Sequence, residues 1–371
     1  MRDDRVHGES LQYAGESLQY SGESLQYSEG LPLLTYLRVG DPGRPLVVFL
    51  PGGGHLARIS YGHPDGRPDD FLAHWLAARG FTVLALSYPS DHPALPAAHP
   101  ELTVDRWGAA AAVLTQRIVT EHQLGAGVIL CGWSMAGRSV LPFARTARQV
   151  GLDLRCFVSL AASAPLPGLV PVPRAGQPLT TGGLWEAALG QSSTRLDNWY
   201  GQISAQAEQG RPIMSREEYV RHYLCRHSVG LRGEAQHWDG QADVHDTEAA
   251  IRETGVGQWA EFPICAAIVP EGTQDARHAL CDHLTWPAIT SYSLGWRLPD
   301  ATTLSADTWA ALTATSRRLS TDLVRFMPGN HFFFLGAAGA RRAARHIEEL
   351  WQAAEDLLLV VSGALTPHEV P

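Results

Sequence analysis

Val128-Ile129-Leu130-Cys131-Gly132-Trp133-Ser134-Met135-Ala136-Gly137 constrains this chain more than any other stretch. A strand-like apolar run meets a serine and small residues, and helix-type sequence from Arg138 to Val150 follows directly. A strand that turns so sharply into a helix needs small residues two positions either side of the turn, because the two elements approach too closely for larger side chains. Gly132 and Ala136 meet that demand, with Gly137 one place later than a strict glycine-x-serine-x-glycine spacing requires. Such a turn lifts Ser134 clear of the sheet as a nucleophile elbow. Standing alone, the segment also admits a reading as a serine in an ordinary strand-to-helix turn.

Its neighbours in sequence add what a serine nucleophile requires. Upstream, the apolar run Leu46-Val47-Val48-Phe49-Leu50 ends in Pro51-Gly52-Gly53-Gly54-His55. Consecutive glycines there let the backbone N–H groups of Gly53 and Gly54 approach a developing oxyanion, with the N–H of Met135 as partner donor. Downstream, Leu323-Val324-Arg325-Phe326-Met327 leads into Pro328-Gly329-Asn330-His331, which places a histidine just past a late strand. The acid that orients it belongs in the loop after the preceding strand. Pro263 to Val269 supplies that strand, and both Glu271 and Asp275 lie in its loop. Asp275 is preferred, because several loop residues carry it over the sheet edge, while Glu271 at the strand end is the alternative. The order is then serine, acid, histidine.

On these residues the chain resembles the α/β-hydrolase superfamily, over roughly residues 24–165 and 262–352. Gly329-Asn330-His331-Phe332-Phe333-Phe334 and Gly132-Trp133-Ser134-Met135 are also similar to the free-standing thioesterases that act beside polyketide and nonribosomal-peptide synthases. Two positions depart from the pattern: Ala136 replaces the usual glycine, and Pro51 stands where many esterases of the fold carry histidine. The resemblance implies a mostly parallel, doubly wound α/β sheet. It also implies a serine hydrolase that cleaves a carboxylic ester or thioester through an acyl-enzyme on Ser134, Asp275 and His331. The substrate would be a small acyl ester or thioester, or an acyl chain borne on a carrier protein, with no metal or organic cofactor. Two alternatives stay open: an acyltransferase or macrocyclising thioesterase with a non-water acceptor, and a non-hydrolytic lyase, cyclase or binding protein on the same fold.

Composition narrows the field from another side. The 29 basic residues are all arginine, so Schiff-base lysine chemistry and a P-loop are excluded. A net charge of −9 with no basic cluster argues against nucleic acid and anionic membranes as partners. Five cysteines without a Cys-x-x-Cys pair point to a reducing compartment. With no signal-peptide layout and no apolar run near the roughly 20 residues that span a bilayer, a cytoplasmic protein is expected. His222-x-x-Cys225-x-His227 and His278-x-x-Cys281-x-His283 share a spacing, but no further convergent ligand supports a zinc site.

Three units are expected along the 371 residues. Residues 1–22 form a poorly ordered extension built on a seven-residue repeat, whose third copy, Glu23 to Ser28, leads through Glu29-Gly30 into an opening hairpin. Residues 23–164 and 262–371 alternate as strands and helices of one core. Residues 165–261, entered through a proline-punctuated linker, read as a helical cap without a convincing strand, with Ser215-x-x-Glu218 opening a helix through Arg226. Trp185, Trp199, Tyr200, Tyr219, Tyr223 and Trp238 are candidates to line a substrate pocket, together with Trp133 and His55 beside the two motifs.

Overall fold

The structure, a computed structural model, describes residues 19–125, 127–166, 176–190, 194–208, 210–298 and 300–365. Twelve strands occur among them: β1 (Glu23–Ser28), β2 (Leu31–Arg38), β3 (Leu46–Leu50), β4 (Thr82–Ser87), β5 (Val128–Trp133), β6 (Leu154–Leu160), β7 (Leu184–Trp185), β8 (His227–Ser228), β9 (Gln236–Trp238), β10 (Asp243–His245), β11 (Cys265–Pro270) and β12 (Val324–Met327). Eight of them form one sheet in the order β1-β2-β4-β3-β5-β6-β11-β12. Only β2 runs against the rest.

The central strands are apolar throughout because both faces of the sheet are covered. Val47, Phe49, Ile129 and Cys131 point into one core, and Leu46, Val48, Leu50, Val128 and Leu130 into the other, following the period of two along a strand. Helix Val104–Glu121 covers the second face with Trp107, Ala110, Ala111, Leu114 and Ile118, spaced as one helical stripe. Helix Ala337–Leu365 covers the first with Ala343, Ala344, Ile347, Leu350 and Ala354. Among the described residues, no helix is long and apolar enough to cross a membrane.

The opening hairpin forms as expected, Ser28 pairing with Leu31 across Glu29-Gly30. Both turn residues have positive φ, 50° and 75°, which matches the twist of the strands. Residues 1–18 of the repeat lie outside the described residues. Tyr20, expected to belong to the poorly ordered extension, is instead packed: the Arg58 guanidinium lies 3.7 Å from its ring centroid, and the buried Glu23 carboxylate binds the same guanidinium at 2.7 Å.

Between β6 and β11 the structure departs from an all-helical insertion. Helices Thr194–Ser204, Arg216–Tyr223 and Thr247–Thr254 alternate with two small antiparallel sheets, β7 with β8 and β9 with β10. These strands are two or three residues long, too short for an alternating pattern to register in sequence. The Ser215 capping box forms in both directions, with bonds of 3.1 and 2.6 Å, but its helix ends at Tyr223, three residues before Arg226. Residues 167–175 of the proline-punctuated linker lie outside the described residues.

Candidate active site

Ser134 sits at the end of β5 with φ of 54°, a left-handed backbone that a non-glycine residue adopts only under constraint. The constraint is packing. A Cβ at Gly132 would stand 2.8 Å from the Phe157 ring, and one at Gly137 would collide with the Ser163 carbonyl oxygen. Gly137 is therefore the glycine the turn cannot do without on its helix side, while the Ala136 methyl is simply buried. The Ser134 carbonyl accepts from the Ser163 N–H at 2.7 Å, tying the turn to the end of β6.

The loop after β3 closes over this turn, and a Cβ on Gly52 would come within 2.8 Å of Ser134 Cβ. Its carbonyls are occupied: Tyr88 Oη donates to Gly52 O at 2.8 Å, and His55 Nδ1 donates to Gly53 O at 2.9 Å. Burial pushes the His55 ring down to about 3, so it is neutral, and its Nε2 accepts from Tyr219 Oη at 2.6 Å. The N–H groups of Gly53 and Met135, which both line the cleft at Ser134, make no hydrogen bond to the protein among the described residues. Gly54 is covered by Ala187 and Trp199 of the insertion.

Asp275 and His331 meet as the sequence predicts, His331 Nδ1 donating to Asp275 Oδ2 at 2.8 Å. Burial alone would raise the Asp275 carboxyl, but the charge and hydrogen bond of His331 outweigh it and hold the group below its ordinary value. The alternative acid, Glu271, is exposed, and among the described residues only its backbone N–H is engaged, on Met327 O. The acid and histidine loops touch through Gly272, whose N–H donates to Gly329 O at 2.7 Å. Ser134 Oγ has no hydrogen-bond partner among the described residues, a link that commonly tightens only around substrate.

Sequence reasoning missed what steadies His331. Gln202, on helix Thr194–Ser204, accepts from the His331 N–H through Oε1 at 3.1 Å and from Asn330 Nδ2 through its carbonyl at 2.8 Å. Trp133 Nε1 donates to the His331 carbonyl at 3.0 Å. Trp133 is thus no pocket residue but a core support, 1% exposed, with its ring centroid 5.4 Å from that of His331. His55 (1% exposed) and Tyr223 (0%) are likewise buried and do not line the cleft, correcting their expected role. Tyr219 is buried on His55, whereas Trp185 and Trp199 do border the cleft.

That cleft, about 190 Å³, has Ser134 on its floor and Arg138, Arg195, Arg232, Arg277 and Glu234 around it. No sequence signal foretold the arginines, which come from four separated segments. Behind His331, at 5.4 Å between centroids, His278 is buried against Asp282, its Nδ1 2.9 Å from Oδ2. Ligand atoms of Asp275, His278 and His331 lie within 4.8 Å of one another, but Asp275 is engaged by His331 and the Arg277 guanidinium stands 2.6 Å from His278 Nε2. A fixed cation at that distance opposes a metal ion. The two His-x-x-Cys-x-His segments do not converge among the described residues, with Cys225 buried and Cys281 exposed.

Leaving aside the four short strands of the insertion, the eight-stranded order with an inverted second strand is that of the α/β-hydrolase fold, and the serine turn, acid loop and histidine loop occupy its characteristic edge. No protein-family model matches the sequence, and no curated protein does. Solved structures that it resembles include the thioesterase domain from the curacin biosynthetic pathway, 14% identical over 88% of this chain and 98% of that one, at a TM-score of 0.39. Epoxide hydrolase VrEH1 from Vigna radiata is 13% identical over 89% and 97%, at 0.46. A thermophilic esterase from Thermogutta terrifontis is 12% identical over 91% and 97%, at 0.42. The fold assignment rests on the strand order, independently of these likenesses.

Proposed function

We propose that the chain is a serine hydrolase of carboxylic esters or thioesters, with Ser134 as nucleophile, His331 as base and Asp275 as its orienting acid. The observation that carries this reading is the Asp275–His331 hydrogen bond of 2.8 Å at the sheet edge where Ser134 holds a left-handed backbone. With the Nδ1 proton committed to Asp275, Nε2 of His331 is the free base. It takes the Ser134 proton as Oγ attacks the carbonyl, and returns it to the leaving alcohol or thiol as the acyl-enzyme forms. Water then attacks, its proton passing to Nε2 and from there to Ser134 Oγ as the acid is released. The N–H groups of Met135 and Gly53, with Gly54 beside them, hold the oxyanion in both steps. Residues 165–261 act as the cap, which Trp185, Ala187 and Trp199 press onto the glycine loop.

The test is covalent labelling by a fluorophosphonate, read by intact mass on the wild type and Ser134→Ala, followed by ester and thioester panels. A single adduct lost in the variant supports the reading. A folded wild type that is never labelled overturns it.

A further inference from the structure

The cleft beside Ser134 is cationic to a degree that its own residues do not neutralise. Glu234 is the one carboxylate among the described residues that line it, and Arg138 already holds it, Nη2 to Oε1 at 2.6 Å. Arg195, Arg232 and Arg277 form no ion pair among the described residues. A chain whose only cations are arginines will cluster some of them by chance, as the exposed Arg341 and Arg342 do in another groove, so burial and pairing decide. In a larger groove of about 880 Å³ at the opposite end of the strands, Arg148 and Arg145 share Glu261 at 3.0 and 3.5 Å, and Arg155 binds Asp153 and Glu355. There Glu261, Asp153 and Glu355 pair with three of the four lining arginines, and Arg297 binds backbone carbonyls; at Ser134 one carboxylate stands among four arginines.

The unanswered guanidiniums are also held in place. Arg232 lies 4.7 Å from the Trp185 ring centroid, and Arg195 lies 5.0 Å from it and 5.9 Å from that of Trp199, so the indoles fix both cations. Burial pushes Arg232 down to about 10, with Glu234 pulling upward and Arg195, Arg138 and Arg277 pushing downward after it. Grouped cations partly removed from water are costly until an anion joins them. Guanidinium is suited to a carboxylate or phosphate, whose oxygens match its fork. At about 190 Å³ the cleft also falls below the roughly 300 Å³ at which pockets for drug-sized ligands begin, so what enters is short.

We propose that the substrate is a short ester or thioester bearing a carboxylate or phosphate group, which Arg232 and Arg195 bind while Arg277 flanks the cleft. This rests on the serine-hydrolase reading and names its substrate class. The anion fixes the scissile carbonyl over Ser134, and a neutral acyl chain of equal length leaves the arginines unmatched.

The experiment compares p-nitrophenyl valerate with the mono-p-nitrophenyl ester of glutaric acid. A second pair compares the valeryl thioesters of propanethiol and 3-mercaptopropionate, and spontaneous hydrolysis is subtracted in every case with Ser134→Ala. The expected result is a kcat/KM about 10- to 100-fold higher for the anionic member of one pair, the loss expected when a charge-assisted hydrogen bond goes unmade. The first pair reports an anion on the acyl side, the second one on the leaving side. Glutarate or inorganic phosphate, at matched ionic strength, inhibits competitively and shows which oxyanion fits. In Arg232→Gln and Arg195→Gln, each checked for folding by circular dichroism, the preference falls about tenfold, and Arg232→Lys recovers part of it. A wild type labelled at Ser134 that hydrolyses neutral and anionic members equally overturns this inference alone. A wild type that is not labelled overturns the hydrolase reading beneath it.

Discussion

Asp275→Asn is the perturbation that most directly tests the site. The substitution preserves shape and removes one charge, and the carboxylate it replaces accepts a 2.8 Å bond from His331 Nδ1 in a partly buried position. Hydrogen bonds to charged groups contribute about 1.5–3 kcal/mol, which corresponds to at least about tenfold in rate. Loss of the imidazolium's counter-charge and of tautomer control in a serine triad extends this to about 10⁴-fold. We expect kcat with an activated ester to fall by about 10²- to 10⁴-fold, with KM little changed. Glu271→Gln, at an exposed residue whose side chain makes no hydrogen bond among the described residues, should stay within about twofold of wild type. Stability supplies a second readout. The folded Asp275 carboxyl lies below its unfolded value of about 4, so its ionised form stabilises the fold above that pH and the contribution fades as pH falls through the folded value. Urea midpoints of Asp275→Asn should therefore lie below wild type at pH 7 and converge with it in acid. Equal losses in the two variants, or an Asp275→Asn enzyme with more than about a tenth of wild-type activity, would refute the assignment of the acid.

Two further outcomes follow from the packing. Gly137→Ala drives a methyl group into the Ser163 carbonyl and should cost about 1–3 kcal/mol in urea unfolding, with the larger share of lost activity in kcat. Gln202→Ala removes the acceptor of the His331 N–H and should lower kcat about tenfold while leaving fluorophosphonate adduct formation detectable at long times.

The positions of Ser134, Asp275 and His331 at one edge of the sheet were legible because each stands in a short loop at the end of a buried strand, where local pattern and chain order determine position. The hairpin at Glu29-Gly30 was legible for the same reason. Trp133 and His55 were misplaced because closeness in sequence to a motif does not determine the direction of a side chain. Strand alternation turns Trp133 into the core, and the turn of the glycine loop carries His55 beneath it. Gln202, Arg195 and Arg232 lay beyond reach, since their approach to Ser134 is set by how the insertion docks, a matter of tertiary packing with no local signature. The short strands β7 to β10 pair with one another and are too short for an alternating pattern to register.

Gln202 belongs to the insertion yet grips the loop that carries His331. Any motion that swings helix Thr194–Ser204 away to widen the entrance must release the histidine's backbone in the same movement. With His331 in its proposed role, access and reactivity are coupled: opening the entrance loosens one hold on the base, and closing it around a guest restores that hold.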